Sequence, residues 1–434
     1  MKDVMKTVLM VAPYFIPRRR VGALRPFKFA IHLQKFGYQP VVLTIGNPGS
    51  MLTRKEKDLL QKITIVEINT PFDRTGSIIS NSDKSVKKNS LSDYMINWID
   101  KQTPLDAWIY LFKAKYNSIY PVIKKKEPDI IWATGDPWSG LWLGEKIARD
   151  LKKPFVADFR DPWTVSNINL RARSAFSSKW DKKVEKRIIT AADRIIFTSE
   201  MTRNKYCQYY HDITSKTETI YNSFDNTIIG SNPERKWNVK PDPKKLNIIF
   251  FGRFRRLSPA KPVTDALIRV KSTYPEALNY IRIHSFGKPD PVCANHINKA
   301  DLNHIFIFHE PVVPEEMVPV LKSADILLLS TNADREDVIP AKLWDYLSVE
   351  VSIFSIVSNP EVGEIIMRSK AGIQVHPENT AEIAEILISY AMAKKNNEPS
   401  LLSVEKDIPD RGIYESEYTT RKLAAIFDDL TTDA

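Results

Sequence analysis

Two cations and two carboxylates stand where the chain could turn them on one ligand. In Ile248-Ile-Phe-Phe-Gly-Arg-Phe-Arg-Arg-Leu-Ser-Pro-Ala-Lys261 an apolar run ends at Gly252, Arg253 follows at once, and Lys261 precedes the next helical segment. A strand, loop and helix of this kind can offer a guanidinium, an ammonium and free helix N–H groups to a diphosphate. A basic surface turn would show the same spacing. Further along, Asp337 and Asp345 lie eight positions apart, the first on the loop after the apolar Ile326–Leu329 run and the second in a helix beyond Pro340. Carboxylates so placed can accept paired hydrogen bonds from the vicinal hydroxyls of a sugar or ribose; acid pairs at this spacing are also common by chance. A third group, Asp158-Phe-Arg160-Asp161, falls just past a strand end, where ligand-facing residues belong. It reads either as charge stabilisation or as a structural Arg–Asp network. One of Arg18, Arg19, Arg20 and Arg25 could touch the same diphosphate while the others form a basic rim. His284, read as ending a strand beside Ser285 and Gly287, suits either a base contact or simple packing.

Several chemistries are excluded by what is missing. The chain has 14 glycines and neither a G-x-G-x-x-G nor a G-x-x-x-x-G-K-[ST] run, which disfavours a dinucleotide fingerprint and a P-loop. There is no H-E-x-x-H, no His/Cys cluster and no G-x-S-x-G after a strand, so a dedicated transition-metal site and Ser-His-Asp catalysis are both disfavoured. What is left is chemistry run by carboxylates, arginines, lysines and backbone amides.

The elements that must position these groups alternate between strand and helix. Val8–Ala12, Gln39–Thr44, Asp129–Ala133, Phe155–Asp158 and Ala192–Thr198 read as strands, with helices at Arg25–Phe36 and Trp138–Leu151. Thr7–Ile16 reads as a buried first strand and not as a signal peptide, since Pro13, Pro17 and a basic run interrupt it. Residues 231–245 are polar, hold three prolines and show no periodicity, as a linker would. Strand and helix patterns then restart: Leu246–Phe251, Ile281–Ser285, Ile305–Phe308, Ile326–Leu329 and Ile353–Val357 as strands, Val263–Tyr274, Pro314–Lys322 and Ala341–Ser348 as helices, and Glu415–Leu430 as a final amphipathic helix. The strands are apolar on successive residues, as sheets covered on both faces require. The expected class is α/β, with two Rossmann-like doubly wound domains facing across a cleft. Their expected bounds are 1–225, a linker at 226–246, 247–410, and a helix at 411–434 that returns to the first domain.

With 434 residues, 43% hydrophobic and 26% charged, the composition is that of an ordinary globular protein. Cys207 and Cys293 fit a reducing compartment and exclude a disulfide scaffold. The net charge of +11 is uneven: residues 1–225 carry 38 Lys and Arg against 23 Asp and Glu, and residues 226–434 carry 25 against 29. A basic first half suggests an anionic partner there, or a lysine-rich solvated surface. Trp98, Trp108, Tyr110, Phe112, Tyr116 and Tyr120, interspersed with Lys101, Lys113 and Lys115, suit either a membrane-interface segment or helices packing on the core, the latter being favoured.

In this order and on this architecture, the motifs resemble those of the GT-B glycosyltransferases, and in particular retaining family 4. The resemblance spans nearly the whole chain. It includes the opening Val11-Ala-Pro-Tyr-Phe-Ile-Pro-Arg-Arg-Arg-Val-Gly-Ala-Leu-Arg25, Ala157-Asp-Phe-Arg-Asp-Pro-Trp163, Ala192-Asp-Arg-Ile-Ile-Phe-Thr-Ser199 and Ile220-Tyr-Asn-Ser223. By that resemblance Arg253 and Lys261 match the family's diphosphate-binding pair, Asp337 would meet the donor sugar and Asp345 the ribose. Gly22, Gly252, Val313, Lys342 and Leu343 would complete the donor site, with Val312 and Val313 framing the base. Arg20, Arg25, Asp136, Asp158 and Arg160 would face the acceptor, with Asp161 near the transfer centre. Both acids of the usual Glu-x(7)-Glu are Asp here, and Glu336 adjoins the first. Thr134-Gly-Asp-Pro137 lacks the histidine many relatives have, and Val349-Glu-Val-Ser352 lacks the family's Gly and Pro.

The resemblance implies a retaining transferase that moves a sugar from a UDP- or GDP-sugar to a saccharide or lipid-linked saccharide in surface-glycan biosynthesis. No metal and no further cofactor are expected. The expected location is the cytoplasm, with peripheral attachment to an anionic membrane face and no nucleic-acid partner. A sugar-nucleotide epimerase of the same fold, and a basic nucleic-acid-binding protein, are the alternatives.

Overall fold

The computed structural model describes residues 5–18, 21–46, 52–70, 102–165, 173–228, 241–312, 316–398 and 409–432. They form two units, Met1–Ser223 with Ser416–Ala434, and Phe224–Glu415.

Unit 1 is built on a parallel sheet of seven strands, β1 (Lys6–Val11), β2 (Tyr38–Ile45), β3 (Thr64–Ile68), β4 (Ile130–Gly135), β5 (Phe155–Phe159), β6 (Arg194–Phe197) and β7 (Thr217–Thr219), in the order β3-β2-β1-β4-β5-β6-β7. Unit 2 repeats the plan with β8 (Leu246–Phe250), β9 (Ile281–Phe286), β10 (Phe306–His309), β11 (Ile326–Ser330), β12 (Ser352–Ile356) and β13 (Gly372–Val375), ordered β10-β9-β8-β11-β12-β13. Both are doubly wound. The order reverses between β1 and β4 and again between β8 and β11, and ligands of such sheets bind beyond the carboxyl ends of the strands at that reversal. Every residue of β4, β8 and β11 is buried, because helices cover both faces.

Close helix–strand approach is set by small residues. A Cβ on Gly144 would stand 2.4 Å from the Ala133 Cβ, and one on Gly140 would stand 2.7 Å from Pro13 Cγ. These two glycines, one turn apart, let the Trp138–Leu151 helix lie directly on β4 and the turn after β1. The helix start is fixed by buried Asp106, whose carboxylate accepts from Ser139 N at 2.9 Å and Ser139 Oγ at 2.6 Å.

The aromatic segment resolves into the helix Trp108–Lys124, with Phe112 and Tyr116 buried beside Ile109, Ile119 and Ile123. Tyr116 donates to Asp150 at 2.6 Å, and Trp108 Nε1 donates to Tyr14 Oη at 3.2 Å. Core packing is the arrangement found for Phe112 and Tyr116, while Tyr110 is exposed; Trp98 and Lys101 lie outside the described residues.

The final helix, Ser416–Thr432, packs on unit 1, with Phe427 edge-on to Tyr38 at 5.3 Å and Thr431 accepting from Lys6. The two points where the chain changes unit are tied side by side. Phe224 N donates to Tyr414 O at 3.1 Å, and Ser223 Oγ and Ser416 Oγ are 3.1 Å apart.

Candidate functional site

In unit 2 the carboxyl end of β8 turns sharply at Gly252, which has φ +120°, a conformation side-chain-bearing residues rarely adopt. Its carbonyl is held by Phe286 N at 3.0 Å and Ser285 Oγ at 2.9 Å, both from β9. Arg253 follows, half-buried, and passes so close to Gly287 (φ +121°) that a Cβ there would sit 3.1 Å from its own Cβ. The loop then closes through Arg255 N to Ser258 O at 3.0 Å and Arg256 N to Asp290 Oδ2 at 2.9 Å.

Across the reversal point, the six-residue helix Lys342–Leu347 returns two groups to this turn. Tyr346 Oη accepts from Phe251 N at 2.9 Å and donates to Leu328 O at 3.0 Å. It thereby bridges β8 and β11 just beyond their shared register, which covers only Ile326–Ile248 and Leu327–Ile249. The Lys342 side chain lies against Gly252: its Cε would be 3.1 Å from a Cβ there, and its amine lies 4.4 Å from the Phe250 ring centre. Desolvation, with Arg255 nearby, pushes the Lys342 amine down to about 8, against the pull of Asp345 one turn on. A half-buried cation depressed in this way gains from an incoming anion. Asp337 is buried on the loop after β11 and Asp345 is half-buried beside Lys342, while Leu343 is wholly in the core.

Lys261 is the first residue of the Lys261–Thr273 helix, but its exposed amine is engaged by Asp265, whose other oxygen takes His296 Nε2 at 2.9 Å. The amine that lies against the Gly252 turn is that of Lys342. Val313 lies outside the described residues. His284 does not end its strand: it is buried inside β9, with Nδ1 2.9 Å from His309 Nε2 and Nε2 3.2 Å from Asn247 Oδ1. Burial, with His309 and Arg282 alongside, pushes it down to about 4, so it is a neutral packed histidine.

In unit 1, Arg25 and Asp158 form a buried bidentate pair, Nε–Oδ2 2.8 Å and Nη2–Oδ1 3.2 Å, and Arg25 also donates to Tyr221 O at 2.9 Å. The pair ties the Val21–Leu33 helix to β5. Arg160 pairs with the half-exposed Asp161 at 3.0 Å, feels the charge of Asp136, and presses its guanidinium against Gly22, where a Cβ would fall 1.7 Å from Nη1. Arg20 lies outside the described residues. Sequence reasoning missed the support beneath this loop. Buried Glu185 accepts from Tyr206 (2.6 Å), Tyr210 (3.0 Å) and Thr164 N (3.1 Å), and Tyr206 Oη in turn accepts from Trp163 N at 2.8 Å. Trp163 stacks on Trp138 at 4.9 Å. A glutamate two turns inside a lysine-rich helix gave no sign of this role.

Residues 27–227 match the model of Glycosyltransferase Family 4. This is the family the motifs resemble, and the fold is the GT-B arrangement of two Rossmann-like domains. A glycosyltransferase from Rickettsia africae ESF-5 is 14% identical with TM-score 0.62, over 99% of this chain and 100% of that one. Sucrose-phosphate synthase from Thermosynechococcus elongatus is 10% identical with TM-score 0.64 over the same shares. Anabaena HepE, solved with UDP and glucose, is 13% identical with TM-score 0.63, over 98% of this chain and 100% of that one. At such identities the structures share the fold. No curated protein matches the chain. The family 4 match and these neighbours together support a glycosyltransferase enzyme.

Proposed function

We propose that the chain is a retaining, metal-independent transferase that moves a sugar from a nucleoside-diphosphate sugar to a saccharide or lipid-linked saccharide. The lipid-linked acceptor would be met at an anionic membrane face during surface-glycan synthesis. Unit 2 would hold the donor and unit 1 the acceptor, through Asp136, Arg160 and Asp161, with the buried Arg25–Asp158 pair as their support. The observation that carries this reading is the turn at Gly252, which Arg253 follows in the chain and against which the depressed Lys342 amine lies, at the reversal point of a doubly wound sheet. The UDP-glucose complex of HepE supports a nucleotide-sugar donor.

As the sugar–phosphate bond breaks, negative charge grows on the departing diphosphate, and Arg253 and Lys342 would stabilise it. Asp337 and Asp345 would accept from donor-sugar and ribose hydroxyls. Lys261 could join the two cations only by leaving Asp265.

A thermal-shift series across nucleoside diphosphates and nucleotide sugars tests the reading, since a bound donor raises stability by mass action. Arg253→Ala and Lys342→Met should each abolish the shift and lower transfer about 10²–10³-fold, the scale of one lost charge stabiliser. Lys261→Met should cost less than Lys342→Met. Donor incubated without acceptor should remain unepimerised. If both Arg253→Ala and Lys342→Met kept the wild-type shift, the site would be misplaced.

A further inference from the structure

The helix Ala175–Ala191 of unit 1 divides its charges by face. Its buried side, formed by Ser177, Asp181, Val184, Glu185, Ile188 and Ile189, takes both of its acids inward. Asp181 is held by Arg173 Nε at 2.7 Å and accepts from Leu105 N at 2.6 Å; Glu185 is spent on Tyr206, Tyr210 and Thr164. The outward side is left with Lys179, Lys182, Lys183, Lys186 and Arg187, all exposed, and with no carboxylate of the helix among them. Among the described residues only Arg187 of these five has an ion-pair partner outside the helix, Glu145 at 3.1 Å.

Two large rings stand in the same stripe. Phe176 is 62% exposed and Trp180 42%, packed edge to face at 6.3 Å, and the Lys183 ammonium lies 5.2 Å over the Trp180 ring. Positions 176, 180, 183 and 187 follow one another along a single helix face. A merely solvated lysine face gives no reason to leave two adjacent rings in water. A cationic face with aromatics at one end is the composition of a helix that lies in a lipid interface. It does not suit a nucleic acid, whose bases need open ring faces: one face of Trp180 is already covered by Lys183 and one edge by Phe176.

We propose that this face docks unit 1 on an anionic lipid surface, Phe176 and Trp180 seated at headgroup depth and Lys179, Lys182, Lys183 and Lys186 against lipid phosphates. The proposal deepens the reading of a membrane-borne acceptor and supplies the contact that reading needs. No helix among the described residues is long and apolar enough to cross a membrane, and docking of this kind needs none.

The test is sedimentation of the full chain with vesicles of phosphatidylcholine, with and without phosphatidylglycerol, in the absence of any sugar donor. Binding should require phosphatidylglycerol and weaken as salt is raised. It should fall about ten-fold or more in Phe176→Ala/Trp180→Ala and in Lys179→Glu/Lys183→Glu. All four side chains are exposed, so both variants should keep the wild-type circular dichroism and melting temperature. Absence of binding to the anionic vesicles, or binding unchanged in both variants, overturns the proposal. So does a single-stranded RNA that displaces the vesicles and binds the aromatic variant as tightly as the wild type. The nucleotide thermal shift, run on the same samples, separates the two readings. A shift without vesicle binding overturns docking alone, and vesicle binding without a shift overturns the donor site alone.

Discussion

Lys342 is the group whose titration the donor site should report. Its amine titrates at about 8 in the folded chain, whereas an unfolded lysine titrates near 10.4. Between those values the unfolded chain binds more protons than the folded one, so this group makes stability rise with pH across the window from about 8 upward. A diphosphate acts in the opposite direction, because it favours the charged amine. Affinity for a nucleoside diphosphate should therefore be greatest below about pH 8 and decline as pH rises to 9, and Lys342→Met should flatten the decline. Titration calorimetry at pH 7, 8 and 9 measures both; an unchanged slope in the variant would assign the dependence elsewhere. Of the candidate residues, Gly252 and Arg253 were legible because a strand ending in Gly-Arg is a local pattern. Lys261 enters as a cation by its spacing and by the family resemblance, and Lys342 by the resemblance alone. Only tertiary structure shows that Asp265, one helical turn on, captures Lys261, while Lys342 arrives from the far side of the reversal.

The elements themselves were read more fully in some places than in others. Strands such as β4, β8 and β11 are buried at every position and carry runs of three or more apolar residues that stand out in any reading, with Asn247 alone inside such a run. The short strands β7 and β13 and the polar helix Glu200–Tyr209 have no such contrast and went unread. The loop after β5 was recognised as Asp-Phe-Arg-Asp-Pro-Trp, yet what holds it comes from two helices later in the chain. Glu185 gathers Thr164 and two tyrosines there, and its carboxylate acts only as an acceptor. Glu185→Gln introduces an amide N–H among these donors and leaves at least one of them unpaired. The expected cost is about 1–3 kcal/mol of unit 1 stability, the scale of one unsatisfied buried group. Denaturant unfolding followed by tryptophan fluorescence should show it, since Trp163 and Trp138 stack on this loop. A midpoint equal to that of the wild type would mean that the loop is held by its own contacts.

At the scale of the whole molecule, the expected plan is two doubly wound domains with a last helix, 411–434, returning to the first. Two strand–helix series separated by a proline-rich stretch announce two doubly wound sheets, but amphipathicity alone does not say which sheet a last helix covers. The structure gives Ser416–Thr432 to unit 1, although 192 residues of unit 2 intervene in the chain. Leu423, Ile426 and Phe427 are buried there, Tyr38 Oη donates to Asp428 at 2.7 Å, and Lys6 reaches Thr431 at 2.8 Å. Burying three such side chains contributes about 5–9 kcal/mol. A domain of this size has a net stability of only about 5–15 kcal/mol. Ending the chain before Ser416 should therefore unfold unit 1, exposing the core under Tyr38 and Phe29, while unit 2 keeps every residue of its sheet. Hydrogen exchange should show protection lost across β1, β2 and β4 and kept across β8, β11 and β12. A nucleoside diphosphate should still stabilise the surviving unit, by about 2.7 kcal/mol at a concentration one hundred times its Kd, and raise its melting temperature accordingly. Retained protection in β1 and β2 would show that the helix merely covers a sheet already stable without it. Loss of the nucleotide effect along with unit 1 would show that the donor site needs more than the Gly252 turn and its lysine.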